Sequence, residues 1–194
     1  MTLLVLASNS DVRKRLLAAV NPSFVSMPPR VDEAVLKQKF VGPVTDLAVF
    51  LARHKALSVC QNSDKIVIGA DQVLEFNGIA YDKPASIEEA RARFKTMRGK
   101  EHRLIGGLVL CRSGNVLWEH KVVCTLKFRN FSDEFLSQYL NEAGDIITGT
   151  VGGYAFERDG VQLFDSVKGD YFAILGLDLI PLLEQLRRLN VLKT

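Results

Sequence analysis

Short aliphatic runs alternate with amphipathic stretches along most of this chain. Leu3–Ala7 is continuously aliphatic, the pattern of a buried strand, and it opens the fold. Ser8, Asn9, Ser10 and Asp11 follow, all good helix N-caps, and VRKRLLAAV then predicts a helix that Asn21 and Pro22 end. Ser23–Met27 reads as a second strand before the Pro28-Pro29 break. Val31–Phe40 predicts a short helix with Asp32 and Glu33 in its first turn. Gly42-Pro43 stops it, and Thr45 is a cap for a longer helix reaching about Cys60. Lys65–Gly69 predicts a central strand, with Asp71 just past its C-terminal end. Leu74–Tyr81 predicts a hairpin turned at Asn77-Gly78. Ser86-Ile-Glu-Glu89 is a capping box, so residues 86–97 should be helical, with Gly99 closing the helix. Two long strands, His102–Cys111 and Val116–Phe128, flank a turn at Ser113-Gly114-Asn115. Beyond them come a helix at Phe131–Asn141 and a glycine-rich loop at Gly149–Gly153. A second hairpin is expected from Tyr154–Phe156 and Val161–Phe164, and a closing helix over about Ile180–Leu189. The order of elements predicts an α/β fold with a mixed sheet.

Composition narrows the class. The 194 residues suit one domain, with room for two lobes, and 47% hydrophobic with 24% charged residues is a globular balance. A net charge of +3, spread along the chain, is no nucleic-acid footprint, so no nucleic-acid partner is expected. Cys60, Cys111 and Cys124 are an odd number without a C-x-x-C, which argues for a reducing compartment and for buried fillers. The N-terminus has no signal-peptide pattern and no stretch is long and apolar enough for a bilayer, so a cytoplasmic protein without a membrane partner is expected.

In open α/β sheets ligands bind beyond the carboxyl ends of strands, and two such ends carry polar residues here. Ser8 and Ser10, with the helix start behind them and Arg13 one turn in, have the makings of a phosphate cradle. The bland alternative is a capped helix with a solvated basic face. Asp71, leaving an aliphatic strand, suits a metal or a water to be activated, or else it satisfies backbone N–H groups in the next turn. Glu33 is a second carboxylate for a divalent cation, or a partner of its helix dipole. Lys83, before Pro84, is held extended and could reach an anion, although it and Lys55 are equally readable as ordinary lysines. Walker, Rossmann, zincin and nucleophile-elbow motifs are absent, and His54, His102 and His120 lack ligand spacing.

With those residues in view, the chain resembles the Maf family of nucleoside triphosphate pyrophosphatases. LASNSDVRKRLL is similar to the family's opening, matching at Ser8, Ser10, Arg13, Leu16 and Leu17. VDE at 31–33, LARHKA at 51–56 and IGADQV at 68–73 match in register, and DKPASIEEA, RGKEH, VGGYAFE and GDYFAILGL follow in the family's order. The resemblance spans residues 1–194 as one Maf-like domain. It implies the fold of the inosine triphosphate pyrophosphatases, an elongated mixed sheet with flanking helices and a cleft between two lobes. It implies cleavage of a nucleoside triphosphate to monophosphate and pyrophosphate with Mg²⁺ or Mn²⁺, and in many members a homodimer. By position, Asp71 becomes the proton acceptor, Ser8, Ser10, Arg13, Lys55 and Lys83 face the substrate phosphates, and Glu33 with Asp71 serves the metal.

The resemblance also places substrate choice at Val12, Gln72 and Glu157. Gln72 and Glu157 match members acting on 7-methyl-GTP, whereas Val12 matches neither that group nor the members acting on dTTP and UTP. Asp11 stands for the family's proline, Thr150-Val151 for Lys-Ala, Gly106 for Thr and Asp178 for a later proline. A modified nucleotide such as 7-methyl-GTP is the expected substrate. The alternatives are dTTP or UTP, or a low-activity nucleotide-binding regulator of cell division.

Overall fold

The computed structural model describes residues 4–21, 23–61 and 64–193; the expected strand start Leu3 and helix stop Pro22 lie outside them. Its frame is a seven-stranded mixed sheet in the order β2-β1-β3-β5-β6-β7, with β4 paired to β3. The strands are β1 (Leu4–Ala7), β2 (Phe24–Met27), β3 (Ile66–Phe76), β4 (Ile79–Tyr81), β5 (Glu101–Arg112), β6 (Asn115–Phe128) and β7 (Phe164–Lys168). The helices are α1 (Asp11–Val20), α2 (Glu33–Lys39), α3 (Val44–Cys60), α4 (Ile87–Met97), α5 (Asp133–Ala143), α6 (Ile146–Gly149), α7 (Tyr171–Ile174) and α8 (Leu179–Arg188). None of these helices is long and apolar enough to cross a membrane. The chain divides into two units. The first holds residues 1–72, 106–122 and 170–194, and the second holds 73–105 and 123–169.

In the first unit β1 lies parallel to both β2 and β3, pairing Leu4 with Ile66 and Ala7 with Gly69. Strand alternation then sorts the core. Leu4, Leu6, Ile66, Ile68 and Ala70 point to the face where Leu17 of α1 and Leu179, Leu182 and Leu186 of α8 pack. Val5, Ala7, Val67, Val109 and Cys111 meet Ala52, Ala56 and Cys60 of α3 on the other face. That helix lies unusually close. A Cβ on Gly69 would collide with the Ala52 carbonyl, and one on Gly107 with the backbone of Ala48 and Val49. Cys60, Cys111 and Cys124 are all free and buried.

The second unit fills its core with rings. His102, Phe128, Tyr154 and Phe164 meet with centroids 4.7–6.0 Å apart, and Phe94, Phe131 and Tyr139 extend the cluster. The Tyr154 hydroxyl lies 2.8 Å from His102 Nε2, while Nδ1 is buried without a hydrogen-bond partner. Burial pushes His102 down to about 4, against a weaker opposing pull from Glu75. The Asn77-Gly78 hairpin forms as expected, with Asn77 at φ 53° and Gly78 at φ 80°.

Three expectations are corrected. Thr45 is not the cap of α3: the helix starts one residue earlier, behind Pro43, without a side-chain cap. The second hairpin does not form. Asp159–Leu163 is a 3₁₀ turn held tight where Gly160 sits on the Ala155 carbonyl, and Phe164–Lys168 pairs antiparallel with β6 instead. Finally, Asp71 does not follow a strand, because β3 continues through it to Phe76. What ends near Asp71 is the neighbour: Ala7, opposite Gly69, is the last residue of β1.

Candidate active site

Where β1 stops, β3 runs on with that edge no longer paired to β1, and Asp71 stands just beyond this point on the face toward α3. Lys55 projects from the core-facing stripe of α3, in line with Ala48, Ala52 and Ala56, where a helix of this kind ordinarily carries only apolar side chains. Its ammonium lies 2.8 Å from Asp71 Oδ1 and 2.8 Å from Glu33 Oε1. Both Lys55 and Asp71 are buried, at 6% and 7% exposure. A buried ion demands a partner, and here each has one.

Glu33 reaches this point from the first turn of α2, which Asp32 caps by accepting from the Val35 amide at 3.1 Å. Partial burial pushes the Glu33 carboxyl up, but the hydrogen bond and charge of Lys55, with Lys37 and Arg13 behind it, prevail and hold it below its ordinary range. Arg13 completes the cluster. Burial pulls its guanidinium down, opposed by the charges of Asp71 and Glu33. Two carboxylates and two cations therefore balance to zero.

The serine turn differs in detail from a bare helix N-terminus. Ser8 Oγ accepts from the Ser10 amide at 3.1 Å, and Ser10 Oγ accepts from the Arg13 amide at 3.4 Å, so side chains already cap those N–H groups. The turn can still offer an anion the two hydroxyl protons. Ser8 itself is buried, and its carbonyl accepts from Ser26 Oγ at 2.8 Å. Asp11 is exposed and paired with Lys14 at 3.0 Å, so its charge is met locally.

Arg13 does more than carry charge. Nε donates to the Gly176 carbonyl and Nη1 to the Ala70 carbonyl, both at 2.9 Å, which leaves Nη2 for a ligand. Gln72, on the opposite face of β3 from Asp71, holds the same segment: its Nε2 donates to the carbonyls of Ala173 and Ile174 at 2.9 and 3.0 Å. Both amide hydrogens are thus engaged, and Oε1 alone remains to read a ligand. His120 adds a third tie, 2.9 Å from Asp178, while stacking on Trp118. Gly176, at φ 96°, lets the connection from α7 to α8 pass beside Arg13 and Gln72. The strap lies within GDYFAILGL, but nothing in the local sequence signalled that its carbonyls hold Arg13 and Gln72.

The structure brings Ser8, Ser10, Arg13, Glu33, Lys55, Asp71 and Gln72 together in the first unit, with Val12 half-buried in the first turn of α1. Lys83 and Glu157 belong to the second unit. Lys83 is exposed in the turn after β4, and Glu157 is half-buried in the turn before the 3₁₀ segment. Thr150, one of the departures from the expected pattern, closes its loop with its hydroxyl within 3.2 Å of the Ile146 carbonyl and 3.0 Å of the Tyr154 carbonyl.

A divalent cation fits this donor set. Glu33 and Asp71 supply oxygen only, the chemistry magnesium and manganese prefer. Among the described residues no group of three or more His, Cys, Asp or Glu could hold a metal on protein ligands alone. One or two carboxylates plus a phosphate-bearing ligand is the usual magnesium arrangement.

A family model described as "Maf-like protein" matches residues 3–189. A protein named nucleoside triphosphate pyrophosphatase from Maricaulis maris is 43% identical, with all of both chains covered. Another of that name from Granulibacter bethesdensis is 40% identical over 95% of this chain and 96% of its own. Among solved structures, a HAM1 protein from Coxiella burnetii superposes with a TM-score of 0.47 at 12% identity, covering 68% of this chain and 75% of its own.

Proposed function

This chain belongs to the Maf-like family, and from that premise we propose that it hydrolyses a nucleoside triphosphate to the monophosphate and pyrophosphate, with a modified purine such as 7-methyl-GTP as its nucleotide. The observation that carries the reading is the buried Lys55, held between Glu33 and Asp71 at the point where β1 ends. It gives the substrate an ammonium with one N–H still unused and, beside it, an oriented carboxylate.

Asp71 accepts the proton of the attacking water, whose oxygen bonds to the α-phosphorus as the bond to the α–β bridging oxygen breaks. Lys55, Nη2 of Arg13 and the hydroxyls of Ser8 and Ser10 donate to phosphate oxygens as charge gathers on the departing pyrophosphate, and Lys83 adds a further positive charge. The protein cluster is itself neutral, so it cannot balance a triphosphate alone. Magnesium or manganese, held by Glu33 and Asp71, would supply that positive charge and polarise the phosphoryl oxygens.

Base choice follows from hydrogen-bond polarity. The strap carbonyls take both amide hydrogens of Gln72, leaving an acceptor, and Glu157 contributes a carboxylate. Two acceptors favour a base edge rich in donors, such as guanine N1–H and N2–H, over the mixed edge of thymine or uracil.

The test is pyrophosphate release, with Mg²⁺ and then Mn²⁺, across the common nucleoside triphosphates and 7-methyl-GTP, with Asp71→Asn as control. Metal-dependent release that the control loses, greatest with the methylated guanine nucleotide, is the expected result. Preference for dTTP or UTP would overturn the base assignment. Binding without turnover would make the chain a regulator.

A further inference from the structure

In the second unit Arg93 is buried on α4, its side chain 5% exposed, at a helix position where an apolar residue would pack without needing partners. Its guanidinium reaches three separate segments. Nη1 donates to the Asp82 carbonyl at 2.7 Å and lies 3.2 Å from the Val151 carbonyl, Nη2 meets Glu89 Oε1 at 2.9 Å, and the plane covers the Tyr81 ring at 5.0 Å. The other oxygen of Glu89 accepts from the Ala85 amide at 2.8 Å. The pair therefore grips the backbone on both sides of Lys83-Pro84: the carbonyl before it and the amide after it. Pro84 is buried and forces Lys83 into an extended conformation, and the Lys83 side chain is exposed as it leaves the gripped backbone.

We propose that Arg93, through Glu89, is a positioning residue that presents Lys83 to the substrate phosphates and ties that turn to the loop leading toward Glu157. This rests on the reading of Lys83 as a phosphate-side residue. A planar fork suits this place: two separate nitrogens in one rigid plane reach carbonyls from two loops and a carboxylate while that plane covers the Tyr81 ring, a geometry that a single ammonium nitrogen does not reproduce.

The experiment is a double-mutant cycle on the full chain, measuring kcat and KM for pyrophosphate release with thermal midpoints alongside. The variants are Arg93→Met, Arg93→Lys, Lys83→Met and the double Arg93→Met/Lys83→Met, with Glu89→Gln as a milder variant in case Arg93→Met folds poorly. Arg93→Met is expected to raise KM tenfold or more while kcat changes less than threefold, and Arg93→Lys should not rescue it. In the Lys83→Met background the same change should add less than twofold. Glu89→Gln should move KM in the same direction by a smaller factor. Equal fold-changes in both backgrounds, or a lowered thermal midpoint with KM intact, would overturn the brace. A Lys83→Met chain with normal KM would overturn it by removing the role of Lys83. If the wild type releases no pyrophosphate, the activity fails rather than the brace, and the same non-additivity is then expected in the Kd of a non-hydrolysable nucleoside triphosphate.

Discussion

The two units bury charge in opposite ways. In the first, buried ions answer one another: Lys55 sits between Glu33 and Asp71, with Arg13 close by, inside walls made of leucine, valine and alanine. In the second, buried polar groups answer the backbone and the aromatic rings: Arg93 holds two loop carbonyls, Glu75 holds the Gly78 amide and Arg103, and His102 lies among phenylalanines. A cluster of mutually paired side chains can exchange a partner for a ligand, whereas side chains committed to the backbone fix where loops stand. On the proposed reading, chemistry belongs to the first arrangement and presentation to the second.

The sharpest way to break that contrast is Asp71→Asn. It should cost about 10²–10⁴-fold in turnover, the range for losing a general base, with little change in thermal midpoint. Near-normal pyrophosphate release would end the division of labour. Next comes Gly69→Ala. The added methyl would press on the Ala52 carbonyl, which is backbone and cannot step aside, so destabilisation of about 3 kcal/mol is expected from the urea midpoint. A neutral result would show that α3 is free to shift.

Acid separates the units differently. His102 is held near 4, below its unfolded value of 6.5, so between those values the unfolded chain binds more protons. Stability is complete above about pH 6.5 and falls by up to about 3 kcal/mol as pH drops toward 4. Carboxylates with lowered values, such as Glu75 and Glu33, are still fully effective above about pH 4.5 and do not mask this. The double variant His102→Phe/Tyr154→Phe, which removes both members of the buried pair, should flatten the dependence between pH 6.5 and 4.5. A slope unchanged in that variant would place the acid-sensitive group elsewhere. The smallest effect is expected at Asp11→Asn, where an exposed pair is lost: within about 0.5 kcal/mol in stability, checked by the urea midpoint.

Much of this was legible locally. Ser10 and Ser86 cap the helices that follow them and the aliphatic runs became the central strands, whereas α2 and α5 begin two residues later than expected, behind Asp32 and Ser132. Failures fell where a partner distant in sequence decides. Asp71 and Gln72 interrupt an aliphatic run, yet β3 continues because Lys55 and the strap carbonyls receive those side chains. Residues 164–168 join β6 rather than fold back on Tyr154, since a sheet edge was waiting for them. Lys55 and Asp71 could be singled out from the sequence, but their pairing could not. Arg93 lay inside an ordinary helical pattern, and only its three partners distinguish it.

The neutrality of the Glu33–Asp71–Lys55–Arg13 group has a kinetic consequence. Equal and opposite charges within a few ångströms project almost no field beyond a Debye length, so this cluster cannot draw polyanions in from solution. Uncomplexed nucleotides gain nothing by approaching it. On the proposed reading, the encounter rate of a nucleotide whose charge is already met by its cation should vary little with ionic strength.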